Sequence, residues 1–559
     1  MRTILRVVIV LAVVFGSFLA NASVSLKNGN FFVGYTDLLY SGGYEPKIER
    51  VYNSKSSHDG IFGFGWGSEY EVFLTVSPDG SVVVHENGGG AHNRFTPPRI
   101  NTADVDKAVT EILNAKRKLG AGVSGSVAAN EKERLRNDAR YRNDEWERLF
   151  VKGLVKPKHL PDGTVLRSNK FSYQILTKSK NGYVRKSDNG KVESFSNAGK
   201  LVRVADRNGN FINLSYNKTG QLVQIQDNLN RRIHLEFNRA GKVEKIKGEG
   251  GKTAYYKYNG FDLTYSKDTD GNVYEYIYST NGRHNLIGIK YKDNTKMEIA
   301  YNDVSKGETV SYVKERDGMG TEYIYGGDSI GGYHFFTKTK SKNKEGNLVK
   351  QATYEYWEKS KADGERYTYK MFTDIDGDKT ETIFNECCGM PIEITHNSEK
   401  TSFEYDQRGH VTKKVTPSEV TELRYDTKTS KISRVARYPK NSRNKADVIW
   451  ANYKYDAKGN LVAANNSQGK AVRLVYDFNG RIKAMVDQNK RRLEFKYNEA
   501  NRPVEIKDPS LGKINVSYKN SGEILKVQSS GGRNVASSVT AAFQNLLDII
   551  RPAGVTLSF

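Results

Sequence analysis

Tyr455-Asp456-Ala457-Lys458-Gly459-Asn460-Leu461 and Tyr476-Asp477-Phe478-Asn479-Gly480-Arg481-Ile482 are two copies of one turn, set 21 residues apart. The step recurs along the chain. Phe195, Tyr216, Phe237 and Tyr258 keep it, as do Phe384 and Tyr405, and then Tyr455, Tyr476, Tyr497 and Tyr518. Four residues after most of these aromatics comes a glycine: Gly199, Gly220, Gly241, Gly409, Gly459, Gly480 and Gly522. A unit this short cannot bury its own apolar face, so neighbouring units must stack and the chain is an array.

Each unit reads as a β-hairpin. Apolar and polar residues alternate before the turn, as in Ile233-His234-Leu235-Glu236-Phe237 or Val472-Arg473-Leu474-Val475-Tyr476, and a period of two sends alternate side chains to opposite faces. Asp or Asn in the turn can hydrogen-bond its own backbone, and Gly accepts a positive φ. A second turn is expected about eleven residues after the aromatic, at Asp206, Asp227, Asp487 and Asp508. The fold class is therefore all-β, built from tandem 21-residue hairpins. The 34 tyrosines and 51 glycines suit that reading, and 12 prolines in 559 residues leave most strands free to pair. With 37% hydrophobic residues the core is lean, which fits a thin wall better than a thick sandwich.

Residues 1–22 have the form of a cleaved export signal: Arg2 and Arg6, an apolar run from Val7 to Leu19, then Ala20-Asn21-Ala22. That run is too short to span a bilayer of roughly 30 Å as a helix. The expected location is periplasm, cell surface or medium, with no membrane-spanning segment after cleavage. Residues 23–98 form an N-terminal β module rich in glycine and aromatics. Residues 99–155 change character, with helical spacing at Val105, Val109 and Ile112 capped by Thr102, then a second helix carrying Leu135, Ala139, Arg142, Trp146 and Leu149. This reads as an inserted helical hairpin that covers a sheet edge. The repeats occupy 156–530, and residues 531–559 end the chain with an amphipathic helix and tail.

The repeats resemble the YD repeats of bacterial Rhs proteins, of the TcC subunits of insecticidal toxin complexes and of teneurins. Arg50, Tyr52 and Asn53, followed by Gly63, Gly65 and Trp66, look like the N-terminal module that precedes such repeats in Rhs proteins. Cys387-Cys388-Gly389-Met390-Pro391 looks like a turn variant of these arrays. The resemblance covers roughly 30–98 and 163–530. It implies a sheet that spirals into a hollow shell, often around a toxic cargo domain, with a wall that does no chemistry. No aspartate-based self-cleavage motif is found, and only about 29 residues follow Ser530. The expectation is a short, toxin-less member.

No catalytic, cofactor-binding or metal-ligating set is expected. The nine histidines form only local pairs, His58-Asp59 and His85-Glu86, whose side chains point to opposite faces of a strand. Asp374, Asp376 and Asp378 resemble the start of a calcium loop but lack its sixth-position glycine and its closing glutamate. Cys387 and Cys388 are the only cysteines and are adjacent, which leaves a vicinal disulfide or two thiols in one degenerate repeat turn. The formal charge is +23, and +21 without the two leader arginines. An exported chain of that charge is drawn to anionic surfaces. Nucleic acid is disfavoured because the charge is spread along strands and not gathered into a stripe. The functional expectation is a non-enzymatic scaffold or surface-binding protein of the bacterial envelope, with an anionic polysaccharide or envelope protein as partner. The alternatives are a shell around a separately encoded toxin cargo, and an envelope polysaccharide hydrolase.

Overall fold

The computed structural model describes residues 22–550, apart from 41, 89, 99–100, 121–124, 157, 169–173, 188, 208, 329–332, 362–365, 388, 443, 500–501, 519–523 and 531. The expected leader up to residue 21 and the tail 551–559 therefore lie outside the described residues.

One continuous antiparallel sheet runs through the molecule. It starts with Phe73–Val76, Val82–His85 and His92–Thr96, continues at Val165–Ser168, and proceeds hairpin by hairpin to Ile524–Ser529. It closes on itself. Near its start Phe73 forms an antiparallel bridge with Lys200, and the Leu74 N–H donates to the Gly199 carbonyl at 2.9 Å.

The curvature is written into the repeat. The register shifts by one residue immediately before each signature aromatic, at Ser194/Phe195, Ser215/Tyr216, Glu236/Phe237, Lys454/Tyr455, Val475/Tyr476 and Lys496/Tyr497 among others. A bulge bends its strand and raises the local twist. One bulge per 21 residues, always on the same strand of the hairpin, rolls the sheet up. The winding brings an early unit against late ones: Arg207 lies 3.7 Å from the Cβ position of Gly459, and its charge is felt at Lys431 and Tyr455.

The N-terminal residues are not part of this wall. Ala22–Val24, Phe31–Leu39, Lys47–Asn53 and Trp66–Ser68 form a separate four-stranded sheet that packs inside the first repeats, with Asp59–Gly60 and Gly63–Phe64 as a small hairpin beside it. The module from 23 to 98 is thus divided, its first half filling the shell and its second half opening the wall.

The insertion holds three helices in place of the expected hairpin: α1 (Thr102–Lys118), α2 (Ser126–Asn137) and α3 (Ala139–Val151). Asp138 makes the extra break. Its backbone is extended and its carboxylate accepts the Tyr141 N–H at 2.9 Å, so one helix ends and the next is capped. The first cap is Asn101, whose side chain accepts the Ala103 N–H, and Thr102 is already helical. The three helices share a small core of Val109, Ile112, Leu135, Trp146 and Leu149. The chain closes with α4 (Gly532–Ile550).

Candidate functional site: the inner face of the sheet

The signature tyrosines act as bolts between units. Tyr216 donates its hydroxyl to the Leu201 carbonyl, Tyr258 to Val243, Tyr476 to Leu461, Tyr497 to Ile482 and Tyr518 to Pro503, at 2.7–2.9 Å. In each case the acceptor lies fifteen residues back. Tyr405 reaches Pro391, and Tyr455 reaches Ile432 across a longer loop. Burial pushes the Tyr455, Tyr476 and Tyr497 phenols up to about 12, so they stay donors at any physiological pH. Phe195, Phe237 and Phe384 occupy the same position without a hydroxyl. The residue after the aromatic builds the turn: the Asp456 carboxylate accepts the Lys458 and Asn460 N–H groups, and Asp477 accepts those of Asn479 and Arg481. Gly459 and Gly480 follow at φ 80° and 76°, the left-handed position that closes such a loop. Gly522 lies outside the described residues. At the opposite rim Asp227 and Asp487 repeat the device, Asp487 accepting from Asn489 and Arg491.

The N-terminal signature residues are where the inner sheet grips the wall. Arg50 is fully buried and donates to Asp37 through Nε at 2.7 Å and Nη2 at 3.2 Å, and to the Ser266 hydroxyl at 2.7 Å. The Tyr256 hydroxyl also donates to Asp37 at 2.7 Å. Rings of Tyr35, Trp66, Tyr256 and Tyr276 surround the guanidinium at 4.7–5.8 Å. Burial alone would weaken its charge, but the Asp37 carboxylate outweighs that and holds its pKa above the ordinary arginine value. The Tyr52 hydroxyl donates to the His284 carbonyl and accepts the Leu286 N–H, both at 3.0 Å. Trp66 Nε1 donates to the Tyr278 hydroxyl at 2.9 Å, and Asn53 donates its N–H to Gly65 at 2.8 Å. Gly63 has φ 99°, and a Cβ there would meet the Phe261 carbonyl at 2.6 Å. Arg50, Tyr52, Gly63 and Trp66 thus meet the wall at one junction, and the Asn53–Gly65 bond holds the inner module to itself.

The far end is filled differently. Val535, Val539, Ala542, Leu546 and Ile549 of α4 lie on Val472, Leu474, Met485, Leu493 and Ile506, and the Tyr453 hydroxyl donates to the Ile549 carbonyl at 2.8 Å. Between the two fillings the inner face changes. A row crosses the sheet in register: Phe335, Tyr356, Met371, Thr382, Ile394 and Thr401. Thr337, two residues along from Phe335, donates to the Leu26 carbonyl at 2.7 Å, so this face looks toward the N-terminal module. That contact reaches the near end of the strand Arg366–Ile375, where Lys27 Nζ donates to the Thr368 hydroxyl at 2.9 Å. In the five strands from Arg366–Ile375 to Val411–Val415 only Thr382 is buried among the described residues. The ion pairs Lys370–Glu381, Lys400–Glu393 and Lys413–Glu404 lie on the opposite face, and Lys414, paired with Phe403, places one cation on the inner one. A cavity of about 260 Å³, lined by Val24, Phe31, Tyr323, Thr339 and Tyr354, marks where the filling stops.

Residues 444–530 match the family model described as the teneurin YD-shell, and 21–95 match a domain of unknown function, DUF6531. The repeats of residues 444–530 are therefore similar to those of the YD shell. The YD-shell match covers the last four signature tyrosines, whose register, bulge and hydroxyl bond recur back to Tyr216. No curated protein matches the chain. Among solved structures, a crystal structure of TcdB2-TccC3-Cdc42 shares 11% identity at a TM-score of 0.37, covering 89% of this chain and 29% of that one. The Photorhabdus luminescens Tc holotoxin pore shares 10% at 0.35, with the same coverage. A porin-like protein from Bacteroides uniformis shares 12% at 0.15, over 51% of this chain and 97% of that one. Scores this low carry no argument, and the YD shell spans under a third of the Tc chains.

Elsewhere in the YD shell, the residues that resembled a calcium loop form a tight hairpin turn: Asp376 and Gly377 both have positive φ, and Ile375 pairs with Asp378. Cys387 is disulfide-bonded; the only other cysteine, Cys388, lies outside the described residues. Among the described residues no helix is long and apolar enough to cross a membrane.

Two clusters join the helical insertion to the wall, and sequence gave no signal for either because their members are far apart in the chain. Asp79 is buried and accepts from Arg94 at 3.0 Å and from Arg142 of α3 at 2.9 Å. Burial works against its carboxylate, but Arg94, Ser81 and Arg142 outweigh it and hold its pKa below the ordinary range. Next to it, His85, His92 and Glu147 bring three ligand-type atoms within 4.8 Å of one another. Burial lowers the His85 imidazole to about 3 and raises the Glu147 carboxyl to about 7, with Asp144 adding to the latter.

Proposed function

We propose that this YD shell is an exported, non-enzymatic scaffold that holds a guest polypeptide against the uncovered inner face of the strands Arg366–Ile375 to Val411–Val415. One observation carries the reading: the chain fills both ends of its own shell and, beyond the Lys27–Thr368 contact, buries only Thr382 among the described residues of these strands. Met371, Ile394 and Phe403 on a half-exposed wall offer apolar area, the threonines between them offer hydrogen bonds, and Lys414 beside Phe403 adds one cation. Such a surface tolerates many sequences, as a scaffold for a guest requires. The histidine–carboxylate pairs His58–Glu71, His284–Asp262, His334–Glu355 and His410–Asp406 are contacts between neighbouring strands or turns, which supports a wall without chemistry. The net charge of +23 supports attraction of the outer surface to anionic envelope polysaccharide.

The test is native mass spectrometry of the full chain isolated from its host's envelope at moderate salt, beside an Ile394→Asp, Phe403→Asp variant. A stoichiometric polypeptide lost in the variant is the expected result. A bare chain, or a partner retained by the variant, overturns the inner-face reading; bound polysaccharide in place of protein moves the function to the outer surface.

A further inference from the structure

His85 and His92 are directly opposite each other on the antiparallel strands Val82–His85 and His92–Thr96. Paired positions of this kind hold their Cβ atoms about 4.5–5.5 Å apart, and the two rings meet edge to face at 4.6 Å. Glu147 comes from α3, whose position is fixed by the buried Trp146 and Leu149 and by the Arg142–Asp79 ion pair one turn earlier. Its carboxylate Oε1 lies 3.4 Å from His85 Nδ1. That is long for a hydrogen bond between such groups. It matches the edge of a metal tetrahedron, since two ligands about 2.0–2.1 Å from a zinc ion stand about 3.4 Å apart.

The surroundings are those of a ligand and not of a spare histidine. The other ring nitrogen of His85 is 3.0 Å from the Thr75 hydroxyl, the kind of outer contact that fixes a ligating imidazole's tautomer and angle. Phe73 stacks on the His85 ring at 4.4 Å and 9°, which walls one side with hydrocarbon. His92 is exposed, so the fourth coordination position opens to solvent. Two imidazoles and one carboxylate suit zinc or a neighbouring divalent transition metal, and not calcium or magnesium.

We propose that His85, His92 and Glu147 bind one divalent transition-metal ion, with zinc chemistry, that clamps the helical insertion to the opening hairpin of the wall. This site is independent of the guest reading. It lies beside the Phe73–Lys200 bridge where the sheet closes, so an ion there secures both the insertion and the seam.

The test uses the full chain without an affinity tag, stripped with EDTA and titrated with Co2+ and then Zn2+. One Co2+ per chain with a tetrahedral visible spectrum, displaced by Zn2+, is expected. Glu147→Gln and His92→Ala should each weaken binding by tenfold or more, and Thr75→Val by about tenfold through the tilt of His85. Circular dichroism in EDTA should match the parent for all three, because His92 is exposed and Gln keeps the shape of Glu147. Absence of stoichiometric metal in the parent, or undiminished binding in both His92→Ala and Glu147→Gln, overturns the site.

Discussion

The repeats around Ile212–Leu235 and those around Met371–Phe403 have the same backbone and opposite interiors. In the first, Ile212, Ile225 and Ile233 are 0–1% exposed beneath the N-terminal sheet. In the second, the corresponding inward residues stay half-exposed and, among the described residues, Thr382 alone is buried. Yet both keep the ladder, the bulge before the aromatic and the tyrosine bolt, with Tyr405 reaching Pro391 and Tyr425 reaching Val411 at 2.7 Å. The wall is thus specified unit by unit, and its filling is supplied by separate segments. Stability should be high where those segments sit and low between them, because each unit draws on its neighbours only.

The greatest effect should come from breaking the filling's grip. Arg50→Leu leaves the Asp37 carboxylate buried without its counter-charge, which costs about 3–5 kcal/mol. Lys370→Leu removes an ion pair of similar geometry from the bare stretch, 2.6 Å from Glu381 but solvent-exposed, and should cost about 0–1 kcal/mol. Urea unfolding of the two variants checks the contrast. Equal midpoints would mean that the inner sheet does not anchor the wall.

A cleaner pair uses one residue type on the same face. Ile233→Ala should cost about 2–5 kcal/mol, since its site is closed on all sides. Ile394→Ala should cost under about 1 kcal/mol, because water already reaches it. If both cost the same, something covers Ile394. If Ile394→Ala is silent in the isolated chain and costly in material from the host, the cover is a guest.

The repeat was legible because every part of it is local. The Asp456 and Asp477 turns, the glycines at positive φ and the alternation of strands such as Ile233-His234-Leu235 are set within one 21-residue unit. The junction was half legible. Arg50, Tyr52 and Trp66 stood out by resemblance, but their partners Ser266, His284 and Tyr278 lie more than 200 residues away and carry no mark. Asp37 and Glu147 were invisible for the same reason. The break at Asp138 is different: a single residue's capping decided it, and helical periodicity ran straight through.

Glu69 sharpens the comparison by pH, because it belongs only to the filled end. Burial raises its carboxyl from an ordinary 4.5 to about 7, against Lys47, and Oε1 has no hydrogen-bond partner. Its folded pKa exceeds the unfolded one, so the folded state binds more protons between those values and stability falls as pH rises from 4.5 to 7. Glu69→Gln removes that loss. The expected gain is on the order of 1 kcal/mol at pH 8, discounted for partial exposure, and nothing at pH 4. Thermal melts at the two pH values read it. A gain that persists at pH 4 would show packing, and not charge, as the cause.

The smallest effect tests whether the wall is a sum of equal units at all. Tyr476→Phe deletes the hydroxyl that reaches Leu461 at 2.9 Å and should cost about 1 kcal/mol. Phe237 sits at the same position of an earlier unit, with Leu222 fifteen residues before it, so Phe237→Tyr should gain up to about the same amount. The sites are more than eleven repeat-lengths of chain apart, and each bolt ties a unit only to the one before it. In the double variant the two changes should therefore cancel to within about 0.5 kcal/mol. A larger residual would mean that the windings report to each other where they touch, through contacts such as Arg207 against Lys431 and Gly459. The shell would then be a closed body whose bare stretch feels its filled ends, and not a ribbon with two independent plugs.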